Sequence, residues 1–250
     1  MNGTTQKSAW AQAIMIGAIV GAALLPIGAL GHRIGLWSFQ TGFIFLAGGA
    51  LLAVVAVLGA IIALIVSLRR KRTGDRPMLY IGLLVGGAIV VLVLAQMGTA
   101  RSVPPIHNIS TDVSDPPAFD VAVGLRGADS NPIDYDVAAI AEKQQAAYPR
   151  VKPLLTDRSP AESFARAVAV LQGMGLEIVN KDENAGRIEA VATSFWFGFK
   201  DDLVVRIRER GAGSGTGSVI DLRSVSRVGV SDLGVNAKRI EEFIDRFSEA

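Results

Sequence analysis

The chain has 250 residues, half of them apolar, no cysteine and a net charge of +2. The lack of cysteine excludes disulfides, thiolate catalysis and Cys-ligated zinc or iron–sulfur centres. Seven basic residues face one acid in positions 1–100, and eighteen face twenty-two in 101–250, so the pI near 9.0 belongs to one half; that excess flanks apolar runs, which points to membrane orientation and away from nucleic acid.

Positions 10–30 form an apolar run interrupted only by Gln12, with Pro26 toward its end. Leu, Ile, Val or Phe at a span centre each favour insertion by roughly 0.3–0.6 kcal/mol, whereas one Asp or Arg costs about 2.5–3.5 kcal/mol. The run holds no ionisable group, so insertion is expected. Only Lys7 precedes it and no A-x-A motif follows, which favours a retained span over a cleaved signal. Positions 42–68 make a second run. As a helix it would reach roughly 40 Å against a hydrocarbon core of about 30 Å, so it must tilt or end in the interface. Positions 78–97 make a third. Because isolated strands leave their backbone unsatisfied in lipid, three helices are expected. The chain therefore divides into a membrane anchor over 1–100 and a separate domain over 101–250.

The stretch 69–76, RRKRTGDR, carries five basic residues and one acid, whereas 32–41 carries only His32 and Arg33. Basic loops stay cytoplasmic, which puts the N-terminus inside and everything after Arg101 outside. Trp10, Trp37 and Tyr80 fall near span ends, where interfacial aromatics gather. Gly17-x-x-x-Gly21 and Gly82-x-x-x-Gly86 suit close helix approach, among these helices or across a homodimer face. No span contains a charge, which suggests an anchor rather than a transporter.

Positions 101–135 hold Pro104-Pro105 and Pro116-Pro117 and no helical period, so they read as a linker or as a strap across the fold. Positions 136–148 have modest helical character. Ser159-Pro160-Ala161-Glu162 is a capping box with Pro at the first helical position. Phe164, Val168 and Leu171 follow at helical spacing, and Gly173 and Gly175 end the helix. Strands are expected at 176–180, 187–194, 202–210 and 218–228, separated by Asn184-Ala185-Gly186 and by the Gly-rich 211–217 loop. That loop lacks the Gly-Lys-Ser/Thr ending of a phosphate loop and lies between strands, so it is a hairpin connection. A last helix over 235–247 aligns Ile240, Phe243, Ile244 and Phe247. The domain is thus α+β: helix, four-strand antiparallel meander, helix, with both helices on one side of the sheet.

Three clusters could carry chemistry. Strand alternation puts Asp221, Arg223, Val225 and Arg227 on one face and Ser224 and Ser226 on the other, with Asp232, Asn236 and Arg239 following. Arginines beside a helix start suit an anion site; mutual pairing of these acids and arginines into a structural network is the alternative. Phe195, Trp196, Phe197 and Phe199 are four of the chain's sixteen aromatics. They suit core packing at a turn, a hydrophobic pocket, or a contact with bilayer or partner. His107, with Ser110 and Asp112 nearby, is a poor metal ligand set, since hydrolytic zinc takes three protein ligands. A hydrogen-bonded structural histidine is the ordinary reading.

The stretches PPIHNISTDVSDPPAF, AYPRVKPL, ATSFWFGFKDD and DLRSVSRVGVSDLGVNAKRI, in that order, resemble the bacterial and plant family called domain of unknown function 1499, over roughly residues 100–248. The three spans resemble an N-terminal extension of some bacterial members. Asn108 follows His107 where the family commonly has Asp, which weakens an acid/base pair. The resemblance implies a fold and an envelope setting, and no activity.

The expected function is therefore a multi-pass protein of the bacterial inner membrane whose external, non-enzymatic domain binds an anionic or amphipathic ligand or an envelope protein. Neither cofactor nor metal is expected. The candidate ligand site comprises Arg223, Arg227, Asp232, Asn236, Arg239, Trp196, Phe199 and His107, with charges for a polar end and aromatics for an apolar body. Arg227→Ala is expected to abolish binding and spare the fold. A hydrolase using His107 with Asp112 or Ser110, and a scaffold for membrane complexes, are the two rivals.

Overall fold

The structure, a computed structural model, describes residues 8–211 and 217–249. The chain divides into two compact units: Met1–Thr99 with Trp196–Gly198, and Ala100–Phe195 with Phe199–Ala250.

The first unit contains α1 (Ala9–Arg33), α2 (Phe39–Arg69) and all but the last three residues of α3 (Arg76–Ser102), each helix long and apolar enough to cross a membrane. They match the three expected runs, with a few more residues at each end. Lipid supplies no hydrophobic force between helices, so α1 and α2 associate through close backbone approach. Gly21 and Gly28 on α1, and Gly42 and Gly49 on α2, are each seven residues apart. A Cβ at Gly28 would lie 2.7 Å from the Gly42 carbonyl oxygen, and one at Gly49 would lie 2.6 Å from that of Gly21. On α3, a Cβ at Gly82 would meet Ile14 at 3.0 Å and one at Gly86 would meet the Ala53 carbonyl at 3.0 Å. Both glycines of that motif thus serve packing within the chain, whereas a Cβ at Gly17 would meet nothing within 4 Å. Asp75, the one acid of the basic loop, is buried and accepts the Ser8 amide at 2.8 Å.

The second unit begins with β1 (Asn108–Ser110), then the one-turn α4 (Val121–Gly124), α5 (Val137–Ala147) and β2 (Leu154–Thr156). Next come α6 (Pro160–Gly173), β3 (Glu177–Asp182), β4 (Arg187–Thr193), β5 (Lys200–Glu209), β6 (Ser218–Ser226) and α7 (Val235–Ser248). The expected meander is present as β3–β6, all antiparallel. The sheet has six strands rather than four, because β1 and β2 lie end to end along the outer edge of β6, opposite Arg223–Val225 and Ser218–Ile220. The Ser159 capping box is complete. It satisfies two of the amides that a helix start leaves orphaned.

Register sorts the sheet into two faces. Ile188, Ala190, Leu203, Val205, Ile207, Ile220 and Leu222 face α6 and α7 and close one core with Phe164, Leu171, Ile240, Phe243 and Phe247. Both helices therefore lie on one side, as expected. The opposite face presents Arg187, Glu189, Asp202, Arg206, Asp221 and Arg223. It is crossed by residues 112–135, which resolves the linker-or-strap alternative in favour of a strap.

Candidate functional site

The charged face is built first from β5 and β6. Asp202, fully buried, receives Arg227 in fork geometry at 2.6 and 3.1 Å, and also Arg126 of the strap. Asp221, also fully buried, receives Arg206 at 3.0 Å and Arg208 at 2.7 Å. Arg206 extends to Asp115 at 2.9 Å and Asp112 at 3.5 Å. Burial tends to raise the Asp112 pKa. The amides of Asp115 and Ser114, the Ser114 hydroxyl and the Arg206 charge outweigh it, and the carboxyl sits below its ordinary value. Arg223 makes no ion pair among the described residues. It donates to Asn108 Oδ1 at 3.0 Å, Pro117 O at 3.2 Å and Ile133 O, and stacks on Phe119 and Tyr135. Burial pulls its pKa down to about 10 and pushes the Tyr135 hydroxyl up to about 12.

The other side of β6 carries a polar seam inside the helix-facing layer. Ser224 Oγ donates to Asn236 Oδ1 at 2.6 Å and accepts from Arg239 Nη1 at 3.0 Å. Asn236 Nδ2 donates to Ser226 Oγ at 2.9 Å and to the His107 carbonyl at 3.2 Å. Arg239 also donates to Asp201 at 2.7 Å. Asp232 accepts the amides of Gly234 at 2.8 Å and Asn236 at 2.9 Å, so its own carboxylate occupies the start of α7. Burial, with the nearby Asp201 charge, raises the Asp232 pKa despite these bonds.

Of the eight residues expected to share a site, the structure brings Asp232, Asn236 and Arg239 together, with the main-chain carbonyl of His107 beside them. Arg223 and Arg227 lie across the sheet from them, each within the strap's own bonding. The acids and arginines do join networks, but not with one another: Asp221 pairs with Arg206 and Arg208, and Arg227 pairs with Asp202. His107 Nδ1 stands 3.3 Å from the Val230 carbonyl. Ser110 Oγ donates to the Asp112 carbonyl at 2.7 Å, and the Asp112 carboxylate is shared among Ser114, Asp115, Arg206 and Arg208. Trp196 belongs to the β4–β5 turn, where Ser194 Oγ accepts the Phe199 amide at 2.9 Å.

Beside the seam runs a groove of about 280 Å³, with Met174, Leu176, Ala192 and Val235 as apolar lining and Lys238, Arg239 and Glu242 as charged lining. Asp201 neutralises Arg239, and Arg246 pairs with Glu242 at 2.7 Å. The exposed Lys238 ammonium is the lining charge that makes no ion pair among the described residues. The groove can hold an apolar body with one anionic end. Of the expected site residues, only Arg239 lines it. Met174 and Leu176 come from the turn between α6 and β3, Ala192 from β4 and Lys238 from α7, and their convergence is a product of helix–sheet packing. The charged face did have a sequence signal: Asp202, Arg206 and Arg208 share the period-2 face of β5.

A sequence model of the family described as "Protein of unknown function (DUF1499)" matches residues 108–247, which takes in every strand and both sheet-packed helices. No curated protein matches the chain.

Proposed function

The chain belongs to the DUF1499 family, whose description assigns no activity, and from that premise we propose that it is a membrane-anchored binding protein whose sheet domain takes up an amphipathic anion in the groove between the α6–β3 turn, β4 and α7. The observation that carries this reading is the lining itself: four apolar side chains beside one uncompensated ammonium. Two other features support a binding role over a catalytic one. His107 Nδ1 lies against the Val230 carbonyl, and Ser110 Oγ donates to the main-chain carbonyl of Asp112 rather than to its carboxylate; the arginines of the charged face are committed to the strap.

Native mass spectrometry of the full chain, purified in mild detergent, tests this reading. The expected result is a retained amphipathic anion that is lost in Lys238→Glu and in Ala192→Trp, which reverses the charge and fills the groove. Retention by both folded variants overturns the groove reading.

The cytoplasmic N-terminus and extracytoplasmic domain form part of the same proposal, and so does a bacterial inner-membrane location. Five basic residues in 69–76 support it, because positive loops resist translocation. A reporter fused after Ala250 should be active outside the cytoplasm; activity only in the cytoplasm reverses the assignment.

A further inference from the structure

We propose that one end of the sheet is a membrane-surface contact, in which Phe195 and Trp196 of the β4–β5 turn and Val230 of the β6–α7 loop sit in the headgroup layer of the bilayer crossed by the apolar helices. The argument rests on register, tether length and composition, and it is independent of the groove.

Register comes first. Asn108, Val225, Asp202 and Val191 form one row across β1, β6, β5 and β4. Beyond that row, in the same direction, lie His107 before β1, the loop after Ser226, and the turn joining Thr193 to Lys200. The Ser226 amide donates to the His107 carbonyl at 2.9 Å, which continues the row by one step. The end of the sheet that receives the chain from α3 is therefore the end that carries the aromatic turn.

Tether length comes second. Five residues separate Ser102, the end of α3, from Asn108, the start of β1. At no more than about 3.5 Å per residue they span about 20 Å. Three strand spacings of about 4.8 Å carry one from β1 to β4. The short tether and the sheet's own pairing thus keep the whole end within a few tens of ångströms of the end of α3.

Composition comes third. Phe195 is 72% exposed, Trp196 55% and Val230 78%. The turn that presents the aromatics is built: the Ser194 amide donates to Phe199 O at 2.8 Å, and Gly198 takes φ +69°. The opposite end of the sheet carries Asp157, Asp182, Glu183, Asn184, Glu209 and Arg210 among the described residues. Tryptophan and phenylalanine at an interface bury an apolar body while tryptophan keeps its N–H in the wet layer. Lys200, exposed beside the turn, can meet lipid phosphates.

The lack of native cysteine makes a direct test available. The full chain, carrying Phe195→Cys, Val230→Cys or Asn184→Cys singly, is spin-labelled and reconstituted in phosphatidylcholine–phosphatidylglycerol vesicles. Accessibility to oxygen, which concentrates in lipid, is compared with accessibility to a water-soluble nickel chelate. Expected for positions 195 and 230 is loss of nickel accessibility with gain of oxygen accessibility, against the reverse at 184. Labels at 195 and 230 with the aqueous profile of 184 overturn the proposal. So do labels shielded from both agents, which would mean that a protein covers this end.

Discussion

Alternate residues of β5 face opposite surroundings. Leu203, Val205 and Ile207 meet the side chains of α6 and α7, while Asp202, Arg206 and Arg208 meet the strap. The helices can cover an apolar face because their own backbones are internally hydrogen-bonded. The strap has little regular structure, so its carbonyls need donors from elsewhere. Arginines of the sheet supply them: Arg223 to Pro117 and Ile133, Arg227 to Leu125, Arg206 to Asp115. Glu189 does the complementary service, accepting the amides of Asp120 at 2.8 Å and Ala122 at 2.6 Å. The lesson is that buried charge here completes the backbone of an irregular segment, and ion pairing is only part of its role. Whether it yields net stability is a separate matter, because desolvating such groups is costly.

The largest expected effect comes from removing a charge at the centre of that face. Asp202→Ala leaves Arg126 and Arg227 facing each other in a buried space and should cost about 3–5 kcal/mol, read by chemical unfolding in detergent. If ion pairing were all that mattered, the apolar triple Arg126→Met, Asp202→Leu, Arg227→Met would restore full stability. We expect only part of it back, because the Leu125 and Asn131 carbonyls lose their donors, at about 1–3 kcal/mol each. Complete recovery breaks the comparison.

On the apolar face, Phe243→Ala should also cost about 3–5 kcal/mol, through transfer and cavity terms. Unlike the loss at Asp202, this one should be unchanged by salt in the same unfolding assay.

A smaller loss is expected at Gln144, which is fully buried, accepts the Ser110 amide at 2.9 Å and donates to the Ser110 carbonyl at 2.7 Å. Gln144→Leu keeps the volume and orphans both groups, for about 1–3 kcal/mol; protection of the Ser110 amide from hydrogen exchange should fall with it.

The smallest effect is a pH dependence. The Asp112 pKa is lowered in the folded state from 3.8. Its contribution is therefore complete above that value and lost as pH falls through the lower folded one. The melting temperature of Asp112→Asn should lie below that of the parent near neutrality, and the gap should close in acid. A constant gap from about pH 7 to about pH 2 would mean that the carboxylate charge contributes nothing.

What could be read in advance follows the range of the interactions. The capping box at Ser159, the Asn184-Ala185-Gly186 turn and the alternation within β4–β6 are local, and each strand of the meander lies within about two residues of its expected position. The three long apolar helices are legible because runs able to cross lipid exclude charge over their whole length. By contrast β1 and β2 have three residues each, too few to display a period. Arg126 and Asp202 are 76 residues apart in sequence, and nothing local names them as partners. The candidate site was dispersed for a related reason. Alternation along β6 is local, but which of its faces α7 covers is not: Asn236 and Arg239 meet Ser224, while Arg223 and Arg227 meet the strap across the sheet.

The position of β1 has a consequence for the order of assembly. Asn108 pairs with Val225, and Leu154 pairs with Ile220, so both early strands wait for the last one. Until β6 is synthesised, β1 and β2 have no edge on which to pair, and the strap lacks Arg223 as a donor to its carbonyls. The sheet can therefore be completed only after β6 has been made, and its two edge pairings are the ones of longest sequence separation.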